Sequence, residues 1–172
     1  MKNYVLSNTK DSKKEYKKVI NQTCSAIVKS INSEKSYAGP TPQELKEIVK
    51  QETILPENGL GYEKTFEKIK DKVLPNLLRP SSSDYMAHLH GASLLETLSS
   101  ELIISTYNQS MDSWDQSPVA TEIEVETVKE LCKLYGYDSS ADGVFTSGGS
   151  QSNQTAIILA RDWFCNEVLK HD

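Results

Sequence analysis

The sequence predicts a mainly α-helical chain with one short strand. Three observations predict it. Apolar residues recur at helical spacing through most of the chain. Three capping-box signatures, Ser12/Glu15, Thr41/Glu44 and Thr121/Glu124, mark helix starts. Only Val144-Phe145-Thr146, set between Asp142-Gly143 and Ser147-Gly148-Gly149, has strand character.

The elements follow in order. Tyr16, Val19, Ile20, Thr23, Cys24, Ile27 and Ile31 share one face of a first helix that starts near Ser12 and ends near Ile31. Gly39-Pro40 is a loop, and Thr41-Pro42-Gln43-Glu44 opens a second helix with Leu45, Ile48 and Val49 inward. The run from Leu55 to Gly59 breaks it. Tyr62, Phe66, Ile69 and Val73 mark a third helix, ending before Pro75. Residues 79–84 form a polar turn, and residues 85–90 are extended or irregular. A buried helix runs from Ala92 to about Tyr107, carrying Leu94, Leu95, Leu98, Leu102 and Ile103. Residues 108–117 are a polar loop closed by Pro118. A helix capped at Thr121 turns Val125, Val128, Cys132 and Tyr135 inward and stops at Gly136. After the strand and its Gly-Gly turn, a last amphipathic helix reaches about Leu169. A lone strand followed by a helix is half of a βαβ unit. Its unpaired backbone groups require downstream residues or a partner chain.

Composition bounds the rest. At 172 residues, 37% hydrophobic and 25% charged, the chain has the make-up of about one soluble globular domain. Its mean hydropathy is -0.50. No apolar run approaches the ~18 residues of a membrane span. Met1-Lys2-Asn3-Tyr4 leads into a lysine-rich stretch, so no secretory signal is expected. A net charge of -5 argues against nucleic-acid or anionic-membrane binding. Cys24, Cys132 and Cys165 are far apart with no C-x-x-C, which fits a reducing cytoplasm.

Three constellations could carry chemistry. In the first, a glycine turn precedes a helix whose first two turns hold Ser150, Gln151, Ser152, Asn153, Gln154 and Thr155, with no acid before Asp162. Backbone N–H groups and donor side chains there suit a phosphate; ordinary polar capping is the alternative. Gly143 and Gly148 have P-loop spacing, but Gly149-Ser150 stands where the lysine is needed, and G-x-G-x-x-G is absent. A small phosphorylated cofactor fits better than a nucleotide. In the second, His88 and His90 would share one side of an extended segment. Without a third ligand they read as packed or substrate-facing polar residues, and no metal is expected. In the third, Asp112, Trp114 and Asp115 lie in one interhelical loop that could bind an amine. A solvated loop with Trp114 anchored in the core is the alternative.

Together, three ordered blocks resemble the N-terminal part of the group II pyridoxal-phosphate-dependent decarboxylases. They are Asp84-Tyr85-Met86-Ala87-His88-Leu89-His90, the block from Ser113-Trp114-Asp115-Gln116 to Glu124, and the block from Gly143 through Ser147-Gly148-Gly149-Ser150-Gln151-Ser152-Asn153 to Asp162. The resemblance covers roughly residues 60–170 and is nearest to the 2,4-diaminobutyrate branch. It implies residues 1–117 as a helical, dimer-forming segment and residues 118–172 as the start of the large α/β domain of a fold-type I enzyme, incomplete here. It implies pyridoxal 5'-phosphate as cofactor, with Gly148, Gly149, Ser150 and Gln151 at its phosphate. It implies Leu89, His90, Gly91 and Ala92 at the substrate pocket. Ser110 and Asp112 would reach the neighbouring subunit's site, with Asp112 a counter-charge for a distal amine. The family's cofactor lysine, ring aspartate, stacking histidine and mobile tyrosine have no counterpart here, so no catalytic residue is expected in this chain and the chain alone is expected to be inactive. The partners implied are a second copy or a complementing C-terminal chain, with a small amino acid as substrate. The alternatives are a non-catalytic module that binds a homologous subunit and a generic helical protein. Either way, helices made to pack on a larger domain would leave apolar faces exposed.

Overall fold

The computed structural model describes residues 5–31, 35–37, 39–86 and 88–170. The expectations placed on Met1-Lys2-Asn3-Tyr4, on Ala87 within the extended segment and on the terminal His171-Asp172 lie outside the described residues. The chain divides into two units, Met1–Ser99 and Ser100–Asp172.

In the first unit, α1 (Lys10–Ser30) starts earlier than the Ser12 box suggests. Thr9 is its cap, and its side chain accepts the Ser12 N–H at 3.3 Å. Tyr16, Val19, Ile20 and Thr23 are half-buried on the predicted face, whereas Ile27 and Ile31 are exposed. Helix α2 (Pro42–Lys50) has the predicted box in full: the Glu44 carboxylate accepts the Thr41 N–H at 2.8 Å, and the Thr41 hydroxyl accepts the Glu44 N–H. Helix α3 (Tyr62–Lys68) widens into a π-helical stretch, Ile69–Val73, and tightens into a 3₁₀ turn, Leu74–Asn76, at Pro75. Tyr62 and Phe66 stack one turn apart, with ring centroids 5.5 Å apart.

Long-range polar contacts hold these pieces. The Arg79 guanidinium donates to the Ser30 carbonyl at 3.1 Å, at the C-terminus of α1, and to the Lys35 carbonyl at 2.6 Å. A cation there meets the negative end of the helix dipole. Asp84 accepts the Ser36 N–H at 2.6 Å. Glu52, just past α2, pairs with both Lys68 and Lys72. Those two ammonium groups, Lys68 first, hold the Glu52 carboxyl below its usual value of 4.5.

In α4 (Leu95–Tyr107) the unit boundary falls between Ser99 and Ser100. The sequence expectation of a buried helix is not met: Leu94, Leu95, Leu98, Leu102, Ile103 and Ile104 are all exposed. Helix α5 (Pro118–Leu134) begins three residues before the predicted Thr121 cap. Pro118 takes the first helical position, where its missing N–H is harmless. Thr121 then lies inside the helix, its hydroxyl donating to the Ser117 carbonyl at 2.8 Å. Gly136 stops α5 as predicted, with φ +80°. Its N–H reaches the Lys133 carbonyl and the Tyr137 N–H reaches the Cys132 carbonyl, both at 3.0 Å, which is a Schellman ending.

The predicted strand at residues 144–146 does not form, and no residue among those described is in a strand. A strand exists only through a neighbour's hydrogen bonds, and Val144 and Phe145 stand exposed with no backbone partner among the described residues. The turn after them leads into α6 (Gly149–Trp163), continued by a π-helical stretch, Phe164–Leu169, close to the predicted end.

Burial is scarce throughout. Among the described residues Val128 is the one buried apolar side chain, 8% exposed, and Ser117 the one buried polar side chain. The chain exposes 14829 Å². A compact monomer of this mass exposes about 8,400 Å², and two separate compact units of these sizes about 10,000 Å².

A depressed carboxylate stabilises above its unfolded pKa and loses that contribution as pH falls through the folded one. The Glu52 clamp therefore holds above pH 4.5 and is lost as the pH drops below it. Helix content should fall more in the native chain than in Glu52→Gln on acidification below that value. Identical circular-dichroism titrations would contradict the clamp.

Candidate functional site

The start of α6 is built by what each residue can and cannot cap. Gly148 is the N-cap, with φ +155° and ψ 174° and no side chain to close the helix end. That conformation is essentially restricted to glycine. The first intrahelical bond runs from the Ser152 N–H to the Gly148 carbonyl at 3.0 Å. The N–H groups of Gly149, Ser150 and Gln151 precede it and have no acceptor among the described residues.

The acceptors nearby are already used. Gln151 folds its amide oxygen back onto Ser147, accepting the Ser147 N–H at 2.9 Å and its hydroxyl at 2.6 Å. The Thr146 and Ser152 hydroxyls are 2.6 Å apart, and the Thr146 hydroxyl also donates to the Gly148 carbonyl at 3.1 Å. The first turn holds no acid, and space around Gly148 and Gly149 is open. What faces outward is a set of donors at the positive end of a 15-residue helix. It can bind an anion and can do no acid–base chemistry.

The loop at residues 108–117 is tied to α5 rather than to a core. The Trp114 indole is 59% exposed and donates to the Glu122 carboxylate at 2.8 Å. The buried Ser117 hydroxyl donates to the Gln109 amide oxygen at 3.1 Å. Between these ties, the Ser110 hydroxyl donates to one oxygen of Asp112 at 2.8 Å, so the sequence-predicted pair does meet. Gln109 and Met111 also line an apolar groove of about 680 Å³ between α4 and α5, with Ile103, Ile104, Val119 and Ile123.

The segment holding Leu89, His90, Gly91 and Ala92 is irregular and exposed. The His90 N–H reaches the His88 carbonyl at 2.9 Å, a three-residue turn, so the segment is not extended there. The His90 ring meets Tyr85 edge-on at 6.1 Å. No cluster of three or more metal-ligating side chains occurs among the described residues. These four residues belong to the first unit; Ser110, Asp112, Gly148, Gly149, Ser150 and Gln151 belong to the second. Among the described residues no hydrogen bond joins the Ser110–Asp112 pair to the start of α6.

The sequence placed Ser147 and Ser152 in the glycine-turn constellation without assigning them to the turn's hydrogen bonds, and read Thr146 as a strand residue. The available signal was a serine four residues before Gln151, the position from which a helix-start amide can reach back.

Residues 42–172 match the family described as pyridoxal-dependent decarboxylase conserved domain. The chain is 33% identical over 159 residues to an L-2,4-diaminobutyrate decarboxylase of Acinetobacter baumannii, covering 92% of this chain and 31% of that protein. It is 35% identical over 157 residues to one of Rhizobium meliloti, covering 91% and 32%. It thus spans about a third of the length of these curated relatives. The structure superposes with a TM-score of 0.90 on a crystal structure from Vibrio parahaemolyticus, described as the glutamate decarboxylase domain of diaminobutyrate-pyruvate transaminase and L-2,4-diaminobutyrate decarboxylase. That match has 32% identity and covers 98% of this chain and 37% of that one. An Oryza sativa TDC structure with PLP and tryptamine shares the fold, with a TM-score of 0.61 and 20% identity over 84% of this chain and 30% of that one.

The two glycines of the turn should respond differently to substitution. Gly148→Ala forces a side chain into a glycine-only conformation, at about 1–3 kcal/mol. Gly149→Ala adds a methyl to open space in a helix and should be tolerated. Amide exchange at Ser152, whose N–H bonds Gly148, should quicken in the first variant alone. Equal rates in both would contradict this account of the turn.

Proposed function

This chain belongs to the pyridoxal-dependent decarboxylase family, and on that premise we propose that the start of α6 seats the phosphate of pyridoxal 5'-phosphate in a protein that removes the α-carboxylate of an L-amino acid. The observation that carries the reading is the donor-only helix start: three free N–H groups with no carboxylate beside them. That donor set fits a phosphate dianion. When bound, the cofactor's ring supplies the electron sink for decarboxylation.

The chain's own residues do the holding. Gly149, Ser150 and Gln151 offer main-chain N–H groups, and the Ser150 hydroxyl adds a further donor. Gly148 supplies the backbone bend that exposes them. Residues 118–172 form the start of the cofactor-binding domain in this reading, and residues 1–117 the helical assembly segment. Leu89, His90, Gly91 and Ala92 line the substrate pocket. Ser110 and Asp112 reach the neighbouring subunit's site, where Asp112, with one carboxylate oxygen clear of Ser110, is the counter-charge for the distal amine of a diamino acid; 2,4-diaminobutyrate is the candidate substrate. The setting is a cytoplasmic dimer or a complex with a complementing chain. No helix among the described residues is long and apolar enough to cross a membrane.

A second reading has its own support. The exposed faces of α4 and α5 favour a module that binds a homologous subunit without turnover.

Pyridoxamine 5'-phosphate, which has no aldehyde to react with surface lysines, tests the phosphate seat. It and inorganic phosphate should shift the amide resonances of Gly149, Ser150 and Gln151, whereas pyridoxamine should not. Unmoved resonances at these residues would sink the reading. For the substrate, Asp112→Asn in an assembled decarboxylase containing this chain should raise KM for a diamino acid about tenfold. An amino acid without a distal amine should be unaffected; a diamino acid KM that does not move removes Asp112 from the pocket.

A further inference from the structure

We propose that the open cleft between the C-terminal end of α1 and the irregular helical segment after α3 binds a small organic carboxylate, held by Lys29 and Arg79 against an apolar wall. The cleft lies wholly within the first unit, and the start of α6 lies in the second, so neither proposal depends on the other.

The cleft has a volume of about 470 Å³. Small-molecule sites occupy ~300–1,000 Å³. One side is the last two turns of α1, with Ala26 and Lys29. The other comes from residues 70–75, with Arg79 beyond them. That second side is where α3 widens into its π-helical stretch and then tightens into the 3₁₀ turn. Such departures from regular α-helix recur at functional sites.

Charge gives the cleft its chemistry. The chain carries a net charge of -5, yet Lys29, Lys70 and Arg79 line this cleft with a single acid, Asp71. The three cations are not equivalent. Lys70 is paired with Glu67 and lies 3.9 Å from Asp71, so its charge is already matched. Arg79 gives three N–H groups to the Ser30 and Lys35 carbonyls and has no carboxylate partner among the described residues. Two of its five N–H groups remain. Lys29 has neither a hydrogen bond nor an ion pair among the described residues. The negative end of α1 would by itself repel an anion. Arg79 covers the Ser30 carbonyl there, which leaves the Lys29 charge unopposed.

The wall decides the class of anion. Ala26, Leu74 and Pro75 present carbon to the cleft. An inorganic ion loses hydration against such a surface and gains nothing from it. A carboxylate on an aromatic or branched body gains on both counts. Its charge meets two cations that lack a counter-ion, and its apolar part leaves water against the wall.

Benzoate is the probe, titrated into the full 172-residue chain and followed by amide resonances. It should shift Ala26, Lys29, Ser30 and Leu74. Benzyl alcohol keeps the ring without the charge, and acetate keeps the charge without the ring. Each should need about tenfold higher concentration for the same shift. Lys29→Gln should weaken benzoate binding about fivefold. Lys29 is exposed and unpaired, so that variant should keep its helix content. Lys14→Gln removes the same charge fifteen positions earlier on α1 and should leave binding unchanged. Benzoate that shifts none of the four residues, or binds no better than benzyl alcohol, overturns the proposal. So does an equal loss in Lys29→Gln and Lys14→Gln, which would reflect net charge alone. A benzoate shift confined to Gly149, Ser150 and Gln151 overturns it too, and leaves the reading of α6 standing.

Discussion

Apolar surface without cover is the constraint on which the rest of this structure depends. The chain exposes thousands of square ångströms more than a compact monomer of its mass. In an ordinary domain tertiary packing supplies most of the stability of each helix. Here that contribution is nearly absent, and the elements rest on local chemistry. Thr9 and Thr41 cap their helices, Arg79 closes the C-terminus of α1, a Schellman ending closes α5, and Glu52 gathers two lysines. Each of the helix caps is worth on the order of 1 kcal/mol. A helix such as α4, apolar on most sides, is the kind that larger folds place inside.

The same constraint explains what the sequence revealed and what it concealed. Helical spacing records which residues would be buried in the finished assembly, so it located the six α-helices of the described residues even where little is buried. It could not report whether the cover is part of this chain. Ile103 and Ile104 read as core and stand exposed. The strand at residues 144–146 failed for the same reason: its hydrogen-bond partners are not among the described residues. Local rules did better wherever one rule acted alone, as at Thr41 and Gly136. At Thr121 two rules competed, and the proline three residues earlier prevailed because it fixes the first helical φ at no cost in hydrogen bonds.

The candidate site was legible as composition and illegible as wiring. Two glycines, a run of hydroxyl and amide side chains and a missing acid pointed to the start of α6. Which of those side chains are spent on the turn and which remain is a matter of geometry. Gln151 reads from sequence as one more donor toward an anion. In the structure its oxygen belongs to Ser147, and only its nitrogen remains. His88 and His90 show the converse: two residues apart in sequence, they lie in a tight turn rather than along one edge.

The helix starts of the same chain differ: α5, like α6, has no acid in its first turn and no side-chain cap, but Pro118 removes one of its donors. α1 closes its start with Thr9 and carries Asp11 in the first turn; α2 uses Thr41 and Glu44; α3 starts at a glycine but has Glu63. Each of these three sets a negative group against its own positive end, as stability favours. α6 starts at a glycine, has no acid in its first turn and turns its available acceptor away from the open donors. Left this way, the helix end is less stable than it could be, by the few tenths to about 1 kcal/mol that one acid contributes. In the proposed reading an anion supplied from outside provides the missing negative charge, and the stability withheld at the first turn of α6 is recovered as binding free energy for a phosphate.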